Sequence, residues 1–496
     1  MAWWAWILIG TGAVVAVVVV YDLTQRRHAI LRNFPIIGHF RYLLEGIGPE
    51  LRQYIVVDND ADKPFSRDQR RWVYTAAKQH NTHVGFGTDN ELETSPGYLI
   101  IKHSPFPPST PQEGDPDFDR DFRVPSAKVI GGARGRAQAF RAPSVVNVSS
   151  MSYGSLGAKA VEALNRGAAL AGCLQGTGEG GVTSFHEHGG DLVWQIGTGY
   201  FGCRDAAGRF DLGRFTDVIA SHPQIRLIEI KLSQGAKPGL GGLLPAAKVT
   251  PEVARLRGVP EGVDAWSPPR HSAFHDADGL LDFVELLATE CGRPVGIKSA
   301  VGQLDLFRDL ATLMASGERG VDFIVIDGGE GGTGAGPLVF GDHVAFPFKV
   351  GFSRVYRVFA EAGLHHDVVF TGSGKLGLPD NALLAFALGC DTVNVGREAM
   401  LSIGCIQALR CHTGRCPTGV TTNNRWLQRG LDPASKSVRA ANYLVQLRKE
   451  LLQLSRACGV VHPALVTLDH LELLDDHFGT RSATEVFGYE PGWGVP

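Results

Sequence analysis

VDFIVIDGGEGGTGAG, residues 321–336, opens with a short, nearly continuous hydrophobic run and ends in a loop holding six glycines. A run of that kind fits a strand buried on both faces, as in a parallel sheet. Clustered glycines mark backbone that must approach something closely or adopt positive φ. The loop formally contains the dinucleotide fingerprint, Gly329-x-Gly331-x-x-Gly334. That fingerprint requires a helix opening inside the motif and an acidic residue after the next strand. Here the motif runs into GPLVFGDHVAFPF, with two prolines and no helical period. It reads as a ligand loop, not a nicotinamide site.

The same strand-then-glycine rhythm recurs on both sides. The runs are SVVNVSS (144–150), AGCLQ (171–175), LVWQIG (192–197), RLIEIKL (226–232), PVGIKS (294–299), VDFIVID (321–327), DVVFTG (367–372) and DTVNVG (391–396). Helical patterns such as LLDFVELLATECG and NALLAFALGC lie between several of them. Eight such units predict an α/β fold, a closed (β/α)8 TIM barrel, rather than an open doubly wound sheet. The run ends carry MSYGS, GTGEGG, GTGYFG, SQGAKPGLGG, SAVG, GGEGGTGAG, GSGKLG and REAM. Barrels place their active sites at that end, with phosphate sites in the loops after strands seven and eight. Gly372-Ser373-Gly374 and Gly396-Arg397 occupy those two loops. Lys298 ends the fifth run. It suits either the anionic edge of a reduced flavin or an inward lysine paired with a carboxylate.

Residues 2–21 form an uncharged apolar stretch with Trp3, Trp4 and Trp6 at one end, Tyr21 at the other, and Arg26, Arg27 and Arg32 beyond. That length crosses a bilayer as a helix, and the arginines predict a cytoplasmic body on a single-pass anchor. A signal peptide is disfavoured by the missing basic n-region and cleavage site. With 48 basic and 51 acidic residues, net charge −3, there is no global electrostatic case for nucleic-acid binding. The divisions expected are the anchor 2–21, an N-terminal cap region 22–125, the barrel with its cysteine loop 126–430, and a helical extension 431–496. In the extension Leu444, Leu447, Leu451 and Leu454 fall on one stripe.

Three of the chain's eight cysteines, Cys405, Cys411 and Cys416, crowd into GCIQALRCHTGRCPTG (404–419). A reducing cytoplasm argues against a disulfide. Core packing, zinc with His412 and an iron–sulfur cluster stay open on the residues alone. Zinc sites usually draw on closer cysteine pairs, and a Cys-Pro ending also occurs in ferredoxin-type cluster runs.

Together MSYGSLG, TGEGG, EIKLSQGAKPG-GG-LP-KV, EGGTGAGP and GC-x5-CH-x3-CPTGV resemble the FMN-binding domain of glutamate synthase. PIIGHFRYLLEGIGPELRQY and PFSRDQRRWVYTAAK resemble the shorter, membrane-anchored glutamate synthase-related proteins. The resemblance covers almost the whole chain in order. It implies an FMN-bearing barrel that reduces 2-iminoglutarate, from 2-oxoglutarate and ammonia, to L-glutamate. It also implies a [3Fe–4S] cluster on Cys405, Cys411 and Cys416. By the same resemblance Ser150, Met151, Ser152 and Gly178 lie at the flavin, as do Gly332 and Thr333. Gly372, Ser373, Gly374, Gly396 and Arg397 hold its phosphate. Glu179 stands near the ammonia or imine nitrogen, and Gln234, Lys237 and Lys298 face flavin and keto acid. Dehydrating a carbinolamine needs a proton donor, a part Glu179 fills if the site raises its pKa. The cations expected for a dicarboxylate are Lys237, Arg270 and Lys298.

The departures from the family pattern bear on the substrate. Leu240 stands for a glutamate, Leu243 for a glutamine and Gly336 for a serine, and the histidines after SPP are displaced to His271 and His275. No glutaminase domain or nicotinamide domain is legible, so a ferredoxin or a reductase subunit is the expected electron donor. Two rivals remain: an FMN oxidoreductase for another 2-oxo acid or amine, and a membrane-tethered flavin/iron–sulfur electron-transfer subunit.

Overall fold

The computed structural model describes residues 2–90, 92, 94–477 and 479–496. The chain forms two compact units, Met1–Arg70 and Arg71–Pro496. In the first, the expected apolar helix is present as α1 (Trp3–Thr24). It is followed by α2 (Ala29–Asn33) and α3 (Ile37–Leu51). α1 is long and apolar enough to cross a membrane, and its most apolar 18-residue window is unburied.

The second unit is built on a closed barrel of eight parallel strands. They are β1 (Val146–Val148), β2 (Gln175–Gly176), β3 (Leu192–Ile196), β4 (Ile225–Lys231), β5 (Val295–Ser299), β6 (Phe323–Asp327), β7 (Val369–Ser373) and β8 (Thr392–Val395). Each falls within or beside one of the eight predicted runs. The widest departure is the second: its first residue, Ala171, ends the helix Ala158–Ala171. Gly172 then turns the chain at φ +64°, leaving two residues for β2. A short helix, Leu338–His343, also forms where no helical period was read. It starts after Pro337, beyond the glycine motif, so the requirement of the dinucleotide fingerprint is still unmet.

The barrel interior is layered. Leu227, Phe323, Val325 and Val369 pack with Ile130, Ala142 and Leu174 into an apolar floor. Gly296 leaves the space that Phe323 fills, since a Cβ there would lie 2.4 Å from its ring. Two residues further along β4, β5 and β6 the same inward face carries Glu229, Lys298 and Asp327 instead. Period-two alternation thus lifts polar groups to the carboxyl end of the strands while the floor stays dry.

The β2–β3 connection holds a single 3₁₀ turn, Ser184–His186, among the described residues. The long C-terminal helix Pro433–Ala457 packs between Ala158–Ala171, which follows β1, and Pro379–Ala387, which precedes β8, and so covers the β8–β1 side of the barrel. Gly167 permits the approach, because a Cβ there would meet Ala440 Cβ at 2.7 Å. Leu444, Leu447 and Leu451 are fully buried on the predicted stripe, while Leu454 is half-buried. Arg448, also fully buried, donates to the carbonyls of Ala171 (2.8 Å) and Asp121 (2.9 Å). Beyond that helix the extension is not helical throughout. Leu471–Leu474 joins Leu99–Ile101 and Thr480–Ser482 in a three-stranded antiparallel sheet.

Candidate functional site

The loops after β2, β3 and β4 line a cleft at the carboxyl end of the barrel. Its lining includes Glu179, Thr198, Lys231, Gln234, Lys237, Gly239 and Gly241. Glu179 stands in a slot made by glycines. A Cβ on Gly242 would lie 2.2 Å from its Oε1, and one on Gly197 would lie 2.7 Å from its Oε2. Gly178, at φ +69°, lets the TGEGG turn close on the MSYGS loop, where a Cβ would come within 2.3 Å of Ser152 N. These glycines are therefore required by close approach, not only by turn geometry.

Three cations surround the Glu179 carboxylate. Lys231 Nζ lies 3.3 Å from Oε2 and donates to Gln234 Oε1 at 2.6 Å. Arg257 is buried, donates to Ser152 Oγ (3.3 Å) and the Tyr153 carbonyl (3.0 Å), and packs over the Phe201 ring. Lys237 is buried and donates to the Ala335 carbonyl at 2.6 Å. Burial alone would raise the pKa of Glu179. The charges of Lys231 and Arg257 outweigh it and hold the group below the usual carboxylate range. The condition for Glu179 as a proton donor, a raised pKa, is not met here. Burial and the neighbouring Lys231 instead bring Lys237 down to about 8.

Lys298 is an inward lysine with carboxylate company. Its Nζ lies 3.5 Å from Asp327 Oδ2, and both residues are buried. Burial pulls its pKa down, but Asp327 and Glu229 more than offset this and the net shift is upward. Asp327 also accepts from the Gly235 N–H at 3.0 Å, which pins the QGAKPG loop to β6. Ser150 Oγ donates to Glu229 Oε1 at 3.1 Å, tying the start of the MSYGS loop to β4. Gln234 reaches across to Thr333 Oγ1 at 2.9 Å, so two predicted residues from different loops meet.

On the far side of the barrel mouth Gly374, at φ +128°, stands over Gly328, and the Gly328 N–H donates to the Ser373 carbonyl. Gly372 is buried beside them. A Cβ on Gly396 would lie 3.5 Å from Ser149 and 4.0 Å from Met151 Sδ. The loops after β1, β7 and β8 therefore adjoin. Arg397 donates to the Glu330 carbonyl, and its side chain lies against the exposed Gly332. Of the predicted cations only Arg270 is not brought in; it is exposed and, among the described residues, makes no hydrogen bond or ion pair with the site.

Sequence reading missed Lys231, Arg257, Asp327 and Glu229. Lys231 and Glu229 lie in the predicted strand EIKL, where alternation with buried isoleucines was the available signal. Arg257 ends the helix Pro251–Arg257, far from any glycine motif, and nothing local marked it. His271 is buried and bridges the Tyr200 hydroxyl and the Lys231 carbonyl at 3.0 Å each. Burial takes it down to about 4, so it is a neutral brace for the end of β4. His275 is exposed.

The cysteine loop follows the helix Arg397–Ser402. None of the eight cysteines is in a disulfide. Cys405 and Cys411 are half-buried and Cys416 is buried. Burial raises the Cys416 thiol pKa, but hydrogen bonds from Thr421 and Thr418 more than offset it. Lys248, fully buried, donates to the carbonyls of Ser155 (2.6 Å) and Cys411 (3.1 Å) and so links this loop to the MSYGS loop. His412 is exposed. Among the described residues, only Asp475, Asp476 and His477 place three such ligand atoms within 4.8 Å of one another. The close convergence that zinc needs is not found in the cysteine loop.

Residues 126–461 match the family model described as the conserved region in glutamate synthase. The glutamate synthase large subunit-like protein YerD of Bacillus subtilis is 38% identical over 479 residues, 91% of this chain and 90% of that protein. The archaeal glutamate synthase [NADPH] of Methanocaldococcus jannaschii is 33% identical over 318 residues, 64% of this chain and 59% of that protein. The archaeal-type glutamate synthase [NADPH] of Thermotoga maritima is 33% identical over 319 residues, with the same coverages of 64% and 59%. The chain thus spans less than two thirds of the latter two. Among solved structures, a flavocytochrome b2 mutant with pyruvate bound superposes with a TM-score of 0.44 at 14% identity, over 92% of this chain and 90% of that one. That match is too loose to bear on function. The family model, covering the barrel and the cysteine loop together, and the near full-length relative agree: this chain belongs to the glutamate synthase family.

Proposed function

We propose that this chain is an FMN-dependent oxidoreductase that reduces 2-iminoglutarate, formed from 2-oxoglutarate and ammonia, to L-glutamate. The observation that carries the reading is the slot in which Glu179 meets Lys231, Lys237 and Arg257. A dicarboxylate needs several cations, and an ammonia or imine nitrogen needs an acceptor; the slot offers both. The donor set also fits the expected groups: a buried lysine beneath a glycine-lined barrel mouth for FMN, and three cysteines on one loop, one with a lowered pKa, for a three-iron cluster. When bound, FMN would supply the hydride and a [3Fe–4S] cluster on Cys405, Cys411 and Cys416 the electrons that renew it.

The chain's own residues do the rest. Arg257 and Lys237 bind and orient the carboxylates of the keto acid. Glu179, kept ionised, accepts N–H from the incoming ammonia and, once the imine has formed, favours its protonated, more electrophilic form. Lys237, at about 8, holds the proton in the slot that exchanges nearest neutral pH. It replaces Glu179 as the proton donor for loss of water at the carbinolamine. Lys298 would place positive charge toward a flavin bound at the barrel mouth. α1 anchors the chain in a membrane, with the barrel on the cytoplasmic side and a ferredoxin or reductase subunit as donor.

The test is reoxidation of chemically reduced, flavin-loaded enzyme by 2-oxoglutarate plus ammonium in a single turnover, with glutamate detected by mass. Reoxidation with stoichiometric glutamate is expected. A flavin that stays reduced with this pair but reacts with a less polar 2-oxo acid would overturn the substrate. Leu240 and Leu243, beside the cleft-lining Gly239 and Gly241, favour that second reading. Cys416→Ser is expected to lower iron in anaerobically purified protein while flavin is retained; unchanged iron would remove the cluster from this loop.

A further inference from the structure

The segment PIIGHFRYLLEGIGPEL, residues 35–51, takes no part in this chemistry, and its apolar face is bare. In α3 the large apolar residues Ile37, Phe40, Leu44, Ile47 and Leu51 recur at spacings of three and four. That spacing puts them on one stripe of the helix. Ile37 is 76% exposed, Phe40 62% and Leu44 43%, and Ile47 and Leu51 are also exposed. His39, Arg41, Tyr42, Glu45 and Glu50 fall on the other side. The helix turns a glycine, not its leucines, to its neighbour: a Cβ on Gly38 would lie 2.9 Å from Leu31 of α2. An uncovered stripe of this size on a soluble surface marks a place of interaction.

The position of α3 says what covers it. Asp22, near the C-terminal end of α1, is fully buried, and its carboxylate accepts from the Ile36 N–H at 3.0 Å and meets His39 Nε2 at 2.9 Å. α3 therefore begins at the end of the apolar helix α1. Arg26, Arg27 and Arg32 lie between the two, and Arg41 and Arg52 follow. Basic residues flanking an apolar stripe suit a helix lying in the headgroup region of a bilayer with anionic lipid.

We propose that α3 lies in the surface of the same bilayer that α1 crosses, apolar stripe toward the acyl chains, as a second membrane contact. The proposal rests on the reading of α1 as a membrane span. It makes the first unit a two-element membrane module, not a bare anchor and linker.

The test uses the full-length chain in nanodiscs containing phosphatidylglycerol. A photoreactive phenylalanine analogue replaces, one at a time, Phe40, Leu44, Tyr42, Glu45 and, within α1, Val14. After illumination, adducts are identified by mass. Lipid adducts at 14, 40 and 44, at least tenfold more abundant than at 42 and 45, are expected. Lipid at 14 with none at 40 and 44, or with a second copy of this chain captured there, overturns the proposal and leaves the span intact. Equal labelling of the two faces overturns it as well. No lipid at 14 refutes the span, and the proposal with it.

Discussion

Removing the Lys231 ammonium, as in Lys231→Met, tests whether Glu179 works as a carboxylate. The two groups lie 3.3 Å apart with side chains 11% and 15% exposed. At an effective dielectric constant of about 20, Coulomb's law bounds their attraction at about 5 kcal/mol. Arg257 and Lys237 remain, and water reaches the mouth of the cleft, so roughly 2 kcal/mol of that is expected to appear in the rate. That corresponds to about 30-fold in turnover at neutral pH. The sign with pH follows from the depressed pKa of Glu179. In the unaltered protein the group is ionised down through the ordinary carboxylate range, and activity that needs the anion falls only in stronger acid. Without Lys231 the acid limb moves upward, so the deficit grows as pH falls. The assay is single-turnover flavin reoxidation across pH 5–9 with 2-oxoglutarate and ammonium. An acid limb that does not move, or a deficit that shrinks in acid, would refute the reasoning.

Three further outcomes follow from the same geometry. Lys298→Met leaves Asp327 buried without its cation and should cost about 3–5 kcal/mol in urea unfolding. Adding Asp327→Asn should recover part of this, and an unaltered single variant would show that the pair contributes nothing. Lys237, depressed to about 8, predicts a basic limb of turnover near that pH. The limb should vanish in Lys237→Met, and its persistence would assign it elsewhere. Gly167→Ala forces a methyl group to within 2.7 Å of Ala440 Cβ and should cost about 1–3 kcal/mol in thermal unfolding, with flavin content retained in the folded fraction.

The eight strands were legible because parallel strands covered on both faces are written as short apolar runs, as in FIVID and VVFTG. β2 was blurred because the run AGCLQ shares its alanine with the preceding helix, and only Gly172 separates the two. Glu179, Gln234 and Lys237 came from the resemblance; they lie in glycine-rich run ends, where the sequence itself records close approach. Arg257 carries no such record. It reaches the slot from a helix that tertiary packing brings in, as Arg270, in a loop of similar polarity, does not. The protonation state of Glu179 was illegible for the same reason. It depends on Lys231 and Arg257, which lie 52 and 78 positions away in the chain. The short helix at 338–343 forms after a proline suited to a helix start, too brief for any periodicity to show.

The use of the C-terminal helix to cover the β8–β1 side of the barrel sets an order of events during synthesis. Arg448 closes on the Ala171 carbonyl 277 positions earlier. At about 5–20 residues per second, a ribosome needs roughly 14–55 s to make the intervening chain. Through that interval the helix Ala158–Ala171 has no partner for the face around Gly167. That face is covered only when the last eighth or so of the chain emerges, after all eight strands of the barrel have been made. The apolar N-terminus leaves the ribosome long before. In the anchored reading, the nascent barrel therefore waits at a membrane surface, held apart from other unfinished copies.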